Sequence, residues 1–302
     1  MTKNSAKKTL VVITGPTAVG KTNLSLDVAA DLDAEIVSAD ARQFYRELVI
    51  GTAAPTARQL AQVPHHLVGH LSIHDYYNVS MFEEQTLGIL HDIFLKTDYA
   101  VLTGGSGMYI DALCQGIDIL PEADIDIRNH VKQYYQNNGL DALRTWLRNV
   151  DPVFYQQVDL ANPNRIMRGV EVFLMTGQRF SELRIRKVAE RPFTIKRVIL
   201  NRDRQELYQR INLRVDEMMQ QGLVEEVITF FNQRHLNALN TVGYKEIFAW
   251  LSGQWPLHLA VEKIKTNTRR YAKRQLTWFR RYEDAQWFAP DQKDQIMDYI
   301  RS

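Results

Sequence analysis

Along the first third of the chain, short apolar runs alternate with longer stretches whose apolar residues recur at helical spacing. Three runs, at 9–13, 34–37 and 99–102, have the length and composition of buried strands. Each ends in a polar or glycine-rich loop: Gly15 onward, Ser38-Ala39-Asp40, and Thr103-Gly104-Gly105-Ser106-Gly107. Between the second and third runs, residues 81–95 place Phe82, Leu87, Leu90, Ile93 and Phe94 at helical intervals. Strands that alternate with helices predict an α/β fold, a parallel sheet flanked by helices. Ligands of such sheets collect at the carboxyl ends of the strands, so the three loops are expected around one site.

Beyond residue 121 the pattern changes. No strand alternation is visible as far as about 191. Three short helical segments, 128–135, 140–147 and 165–174, are separated by Asn137-Asn138-Gly139, Asp151-Pro152 and Asn162-Pro163. The sheet pattern resumes at 194–200. The next helix carries Leu207, Ile211, Val215 and Met218 on one face, with Arg210 and Arg214 four apart on an adjacent line. More helices follow Gly222, a long one covers 263–282, and a short strand is predicted at 287–288. The expected organisation is a core domain made of 1–120 and 192–302, interrupted by a helical insertion domain at 121–191.

A chain of 302 residues can bury one sizeable core and a smaller satellite. Its 45% hydrophobic and 24% charged content is ordinary for a soluble globular protein. No apolar run approaches the roughly 18 residues of a membrane helix. Residues 1–8 are polar and basic with no long apolar segment behind them, unlike a secretory signal. The single cysteine, Cys114, excludes an internal disulfide and a Cys-based zinc site, and it reads as core. A cytoplasmic monomer is expected.

The net charge of +2 averages over a marked asymmetry. Between 263 and 281 stand Lys263, Lys265, Arg269, Arg270, Lys273, Arg274, Arg280 and Arg281, with no Asp or Glu. On a helix, Arg270, Lys273, Arg274, Thr277 and Arg281 share one face, while Ile264, Tyr271 and Trp278 mark another. Solvated helix faces usually mix charge signs. A face of one sign with aromatics interleaved fits contact with a nucleic-acid backbone.

The loop after the first strand, Gly15-Pro16-Thr17-Ala18-Val19-Gly20-Lys21-Thr22, fits G-x-x-x-x-G-K-[ST] between a strand and a helix. Backbone N–H groups of such a loop point inward, and the helix N-terminus adds partial positive charge. The loop therefore cradles a di- or triphosphate. Lys21 neutralises terminal phosphate charge, and the Thr22 hydroxyl ligates Mg2+. The motif alone leaves open which phosphate compound is held, and whether the phosphate is transferred or expelled.

Asp40 ends the second strand and so stands near the cradle. A carboxylate there can hold an amine or hydroxyl acceptor and take its proton. The alternative is a helix N-cap ahead of 41–45. Ser106 can donate a hydrogen bond to a ligand or cap the next helix, and its spacing does not choose between them. His65 and His66, with His70 and His74 beyond, lack the partners of a metal shell and read as structural. Residues 162–168 and 241–245 read as loop-to-helix junctions to which chemistry alone assigns no mechanism.

Taken together, these segments resemble the tRNA dimethylallyltransferases, which prenylate N6 of the adenosine beside the anticodon in tRNAs reading codons that begin with U. The matching pieces begin with the phosphate loop, Ser38-Ala39-Asp40 with Arg42, Gln43 and Tyr45, and Val63-Pro64-His65-His66-Leu67. They continue with Gly104-Gly105-Ser106-Gly107-Met108-Tyr109, residues 162–168, Val242-Gly243-Tyr244-Lys245 and Lys273-Arg274-Gln275-Leu276-Thr277-Trp278. They run in order over nearly the whole chain.

The resemblance implies a P-loop core whose helical insertion grips the anticodon stem-loop. It implies a target adenine flipped into a channel whose other end admits dimethylallyl diphosphate. Residues Gly15 to Thr22 then hold the leaving diphosphate rather than a nucleotide. Lys21, Mg2+ on Thr22, and Arg210 or Arg214 would stabilise charge as the allylic C1–O bond breaks. Asp40 would hold N6 and accept its proton, with Lys21 and Ser106 completing the catalytic group. Carried over residue by residue, tRNA contacts fall first at Asp40, Ala41, Arg42, Gln43, Ser106 and Arg128, and then at Asn164, Arg165, Ile166, Met167 and Arg168. Further contacts fall at Asn240, Thr241, Val242, Gly243, Tyr244 and Lys245, and at Lys273, Arg274, Gln275, Thr277, Trp278 and Arg280.

The sequence departs from the usual pattern around the acceptor site. Ser106 stands for the common Thr, Ala41 for Ser, Glu47 and Val49 for Gly and Asp, and Ala54-Pro55 for Ala-Lys. Asp40, Lys21 and Thr22 are intact. Three rival functions share the phosphate loop: a small-molecule kinase using ATP, a prenyltransferase acting on free AMP or ATP, and a non-catalytic RNA-binding protein. The long insertion and the basic stretch argue against the first, the basic stretch against the second, and the retained Asp40, Lys21 and Thr22 against the third.

Overall fold

The computed structural model describes residues 8–118, 120–122, 124–185 and 188–302. Its strands are β1 (Thr9–Thr14), β2 (Glu35–Ser38), β3 (His65–His66), β4 (Tyr99–Gly104), β5 (Thr194–Leu200) and β6 (Ala285–Phe288). They form one parallel sheet in the order β3-β2-β4-β1-β5-β6. The helices begin with α1 (Lys21–Asp31), α2 (Ala57–Leu60), α3 (Val79–Lys96) and α4 (Gly107–Gln115). Then follow α5 (Ile125–Val150), α6 (Pro152–Gln157), α7 (Pro163–Thr176) and α8 (Phe180–Leu183). The last five are α9 (Arg204–Gln220), α10 (Leu223–Ile228), α11 (Tyr244–Leu251), α12 (Leu257–Phe279) and α13 (Lys293–Arg301). The apolar pattern does not announce β3, because two histidines carry no alternation.

β1 shows why the sheet is doubly covered. Val11 and Ile13 enter one core with Leu24 and Val28 of α1, while Leu10 and Val12 enter another with Phe82 and Leu90 of α3. A central strand buried on both faces reads as an unbroken apolar run rather than an alternating one. α3 starts at Asn78, whose side-chain oxygen accepts a hydrogen bond from Met81 N at 2.9 Å. A third core gathers Val215 of α9, Val227 of α10, Tyr244 and Ile247 of α11 and Ile264 of α12. Since every strand runs the same way, the carboxyl ends of β1, β2 and β4 lie together. Thr14 pairs with Gly104 and Ser38 with Thr103.

The chain divides into two compact units, 1–114 with 190–302, and 115–189. The change of pattern at 121 marks the helices of the smaller unit, not its boundary. Gln115 O accepts a hydrogen bond from Ala189 N at 2.7 Å and closes that unit ahead of its helices. The break predicted at 137–139 is a kink inside α5, at Gly139 with φ 78°. Val131 and Leu147 of α5 pack with Phe154 of α6 and Ile166 and Val170 of α7. Of the predicted insertion, residues 123, 186 and 187 lie outside the described residues.

Candidate active site

The phosphate loop leaves β1 at Gly15, where φ is 149° and a Cβ would lie 2.6 Å from Leu200 O. No other residue fits between the loop and β5 there. Arginines from the β5–α9 segment hold the loop from one side. Arg202 Nε donates to Val19 O at 2.8 Å, Arg210 Nε donates to Ala18 O at 2.9 Å, and Arg214 Nη1 lies 3.5 Å from Thr17 Oγ1. The i, i+4 spacing in α9 is what brings Arg210 and Arg214 to the same loop. Lys21 Nζ donates to Gly15 O and Pro16 O, both at 3.0 Å. Burial lowers the Lys21 pKa to about 8; the Asp40 charge opposes that shift and the Arg214 charge adds to it.

β2 delivers Asp40 beside this cradle. No helix follows it, so the N-cap alternative does not hold. Asp40 instead sits in a turn, its Oδ1 accepting from Arg42 N at 3.1 Å. The Ser106 hydroxyl accepts from Ala41 N at 3.0 Å and so ties the loop after β4 to the loop after β2. Burial, and then the Asp40 charge, push the Tyr271 phenol up, and that phenol also hydrogen-bonds Ser106.

A cavity of about 720 Å3 brings these groups together. Thr17, Asp40, Ser106 and Arg214 line it, with Arg42 and Ala41 beside them. Asn240, Thr241, Val242, Gly243 and Lys245 form another wall. From α12 come Arg274, Gln275 and the row Ile264, Tyr271 and Trp278. The second face read from the α12 sequence therefore faces the cavity. Tyr77 and Met218 also line it. Neither belongs to a motif, and Met218 had only the signal of a core-facing helix position.

Several residues assigned to tRNA contact have other employment. Gln275 is buried; its Oε1 accepts from Thr17 N and its Nε2 donates to Gly105 O, both at 2.9 Å. Its amide is spent on joining two loops. Tyr244 is fully buried, with its hydroxyl donating to Glu226 Oε1 at 2.5 Å. Ile166 is a core residue of the smaller unit, and Met167 packs against that core. Gln43 Nε2 donates to Thr52 O and Ala53 O, at 3.2 and 3.1 Å. Apolar and amide side chains in a motif are as readily recruited by the fold as by a ligand.

Other candidates are accessible. Lys273, Arg274 and Thr277 are exposed along α12, and Arg280 is exposed at its C-terminal cap. Asn164 and Arg165 are exposed at the start of α7, which Asn162 caps by accepting from Arg165 N at 3.3 Å. Arg128 and Arg168 converge on the buried Glu171, at 3.3 and 3.6 Å. His65 and His66 have structural partners: His66 Nε2 meets Glu35 Oε2 at 2.6 Å, and His65 Nδ1 meets Val63 O. Burial pushes the Cys114 thiol up to about 11, which leaves it an inert core residue.

Thr22 opens α1 directly after Lys21 and is half-buried. Among the described residues there is no group of three or more His, Cys, Asp or Glu that could enclose a metal. One hydroxyl beside a phosphate cradle fits Mg2+, which takes most of its ligands from phosphate and water.

A family model described as IPP transferase matches residues 43–282. The chain is 50% identical to tRNA dimethylallyltransferase 1 of Bacteroides thetaiotaomicron, over 97% of this chain and 95% of that protein. It is 51% identical to tRNA dimethylallyltransferase 1 of Phocaeicola vulgatus, over 97% and 98%. The crystal structure of the full-length tRNA isopentenylpyrophosphate transferase from Bacillus halodurans superposes with a TM-score of 0.71 at 33% identity, covering 98% of this chain and 95% of that one.

Proposed function

The chain belongs to the IPP transferase family, and on that premise we propose that it transfers a dimethylallyl group from dimethylallyl diphosphate to N6 of the adenosine beside the anticodon of tRNA. The observation that carries this reading is that one cavity is lined by both Asp40 and the phosphate-loop residue Thr17. A proton acceptor and an anion cradle on one cavity suit a displacement with an anionic leaving group.

The N6 lone pair forms a bond to C1 of the dimethylallyl group while the C1–O bond breaks. The electron pair of that bond leaves with the diphosphate, and the N6 proton passes to Asp40. Lys21, Arg210 and Arg214 stabilise the departing charge, their positions set by loop carbonyls for Lys21 and Arg210 and by the Thr17 hydroxyl for Arg214. Thr22 would hold Mg2+, which supplies further neutralisation of the diphosphate when bound. The exposed cations of α12 meet the tRNA backbone, and Arg128, Asn164, Arg165 and Arg168 of the smaller unit meet the anticodon stem-loop. No helix among the described residues is long and apolar enough to cross a membrane. We place the enzyme in the cytoplasm, acting as a monomer.

The test is incubation with labelled dimethylallyl diphosphate and either unmodified tRNA or AMP. Label is expected in tRNAs that read codons beginning with U, and is lost in Asp40→Ala. Labelled AMP with unlabelled tRNA would sink the reading. Phosphoryl transfer from ATP without any prenyl donor would favour a kinase instead.

A further inference from the structure

Residues 49–51 turn beneath the cavity wall formed by Gly51, Thr52 and Ala53. Their three successive backbone N–H groups all point at one carboxylate. Glu226 Oε2 accepts from Val49 N at 3.1 Å and from Ile50 N at 2.7 Å, and Oε1 accepts from Gly51 N at 3.0 Å. Oε1 also accepts from the Tyr244 hydroxyl at 2.5 Å. The Tyr244 ring in turn lies against Gly51, where a Cβ would come within 2.4 Å of its Cε2. Glycine is therefore required at 51 by close approach, not by a turn.

A concave run of amide N–H groups is a site that binds an anion. Here the anion is internal, provided by α10. We propose that Glu226 is the positioning residue of the acceptor side of the cavity: it fills this amide nest and, through Tyr244, locks the 49–53 wall to the 240–245 wall. This rests on the prenyl-transfer reading above. It also gives Tyr244 a task that its place in the Val242 to Lys245 motif did not disclose.

The arrangement explains how the wall keeps its shape while its side chains depart from the family pattern. Val49 is bonded through its backbone, so the side chain at 49 is free to vary. On the opposite side of the turn, Gln43 Nε2 holds Thr52 O and Ala53 O. The wall is thus pinned by its N–H groups to Glu226 and by its carbonyls to Gln43. The phosphate loop takes no part in either set of bonds, so a change at Glu226 should be felt by one substrate only.

Glu226→Gln replaces one acceptor oxygen with an N–H2 group that cannot accept from the backbone N–H groups facing it. Steady-state kinetics with tRNA varied and dimethylallyl diphosphate saturating should show KM for tRNA raised about tenfold or more. KM for dimethylallyl diphosphate should change less than about twofold. Glu226→Asp, which keeps the charge, should recover part of the loss. Tyr244→Phe removes a single oxygen and should raise KM for tRNA less than Glu226→Gln does. It serves as the readout if Glu226→Gln does not fold. A fall in kcat with both KM values unchanged would reduce Glu226 to general support of the fold and overturn the proposal. So would a rise confined to KM for dimethylallyl diphosphate. Failure of the wild-type protein to prenylate tRNA is a separate result that removes the underlying reading.

Hydrogen exchange gives an answer independent of catalysis. The amides of Val49, Ile50 and Gly51 should be protected in the wild type and exchange faster in Glu226→Gln, with β1 and β4 unchanged. Unchanged exchange at 49–51 would also overturn the proposal.

Discussion

Gln275 of α12 and Thr17 of the phosphate loop are joined by a hydrogen bond of 2.9 Å, from the Thr17 amide to Gln275 Oε1. Gln275 Nε2 donates to Gly105 O at 2.9 Å. Two loops from different strand ends are therefore held by one buried side chain. Gln275→Leu strands a backbone donor and a backbone acceptor, at about 1–3 kcal/mol for each buried group left unpaired. The expected outcome is a lower Tm together with weaker binding of inorganic diphosphate, read by thermal unfolding and by calorimetric titration. If both measurements match the wild type, the bridge is not what orders the cradle.

Lys21 predicts a pH dependence with a definite sign. Burial holds its pKa at about 8, so the free cradle carries the ammonium below that pH and loses it above. A bound diphosphate favours the charged form and raises the pKa. Binding above pH 8 must then take up a proton, and affinity falls as pH rises, at up to about tenfold per pH unit. Lys21→Arg stays charged throughout and should show a flat profile in the same window. Parallel profiles for the two proteins would assign the dependence to another group.

Asp40→Asn keeps an oxygen that can accept from Arg42 N, so the turn should survive. What it loses is the capacity to take a proton. A fall in kcat of about 100- to 10,000-fold is expected, with tRNA affinity altered only a few-fold in filter-binding measurements. Retention of kcat would remove Asp40 from proton transfer.

The exposed cations of α12 predict a separation of substrates. Lys273→Ala and Arg274→Ala should each weaken tRNA binding, and each should reduce the slope of log affinity against log salt by about one. Arg274 also lines the cavity, so it should show the larger effect on KM for tRNA. Lys273 should leave KM for dimethylallyl diphosphate unchanged. Equal salt slopes in wild type and variants would place the RNA backbone on another face.

Much of the candidate site's layout was legible because its residues are contiguous. Gly15 to Thr22 is readable since a phosphate cradle needs consecutive amides followed at once by a helix. Arg210 and Arg214 were findable because α-helical spacing alone sets them side by side. Asp40 was legible through topology, since in a parallel sheet the end of β2 lies on the same edge as the end of β1, here with only β4 between them. The row Ile264, Tyr271 and Trp278 was visible as a face, although not as a cavity wall.

The side chains that turn inward share one feature. Gln275, Tyr244 and Ile166 sit in motifs from which RNA contact was expected, and motif membership does not say which way a side chain points. Gln275 and Thr17 are separated by 258 positions, and Glu226 and Ile50 by 176. No local periodicity marks such pairs. The sequence by itself determined the sheet-and-helix alternation, the anion cradle and its adjacent acid, because each depends on neighbouring residues and on strand direction. Only the tertiary structure decided which motif residues are tied into the scaffold and which line the cavity or stay exposed. That choice depends on which buried amides and carbonyls need partners once the helices have packed, and packing is settled across the whole chain at once.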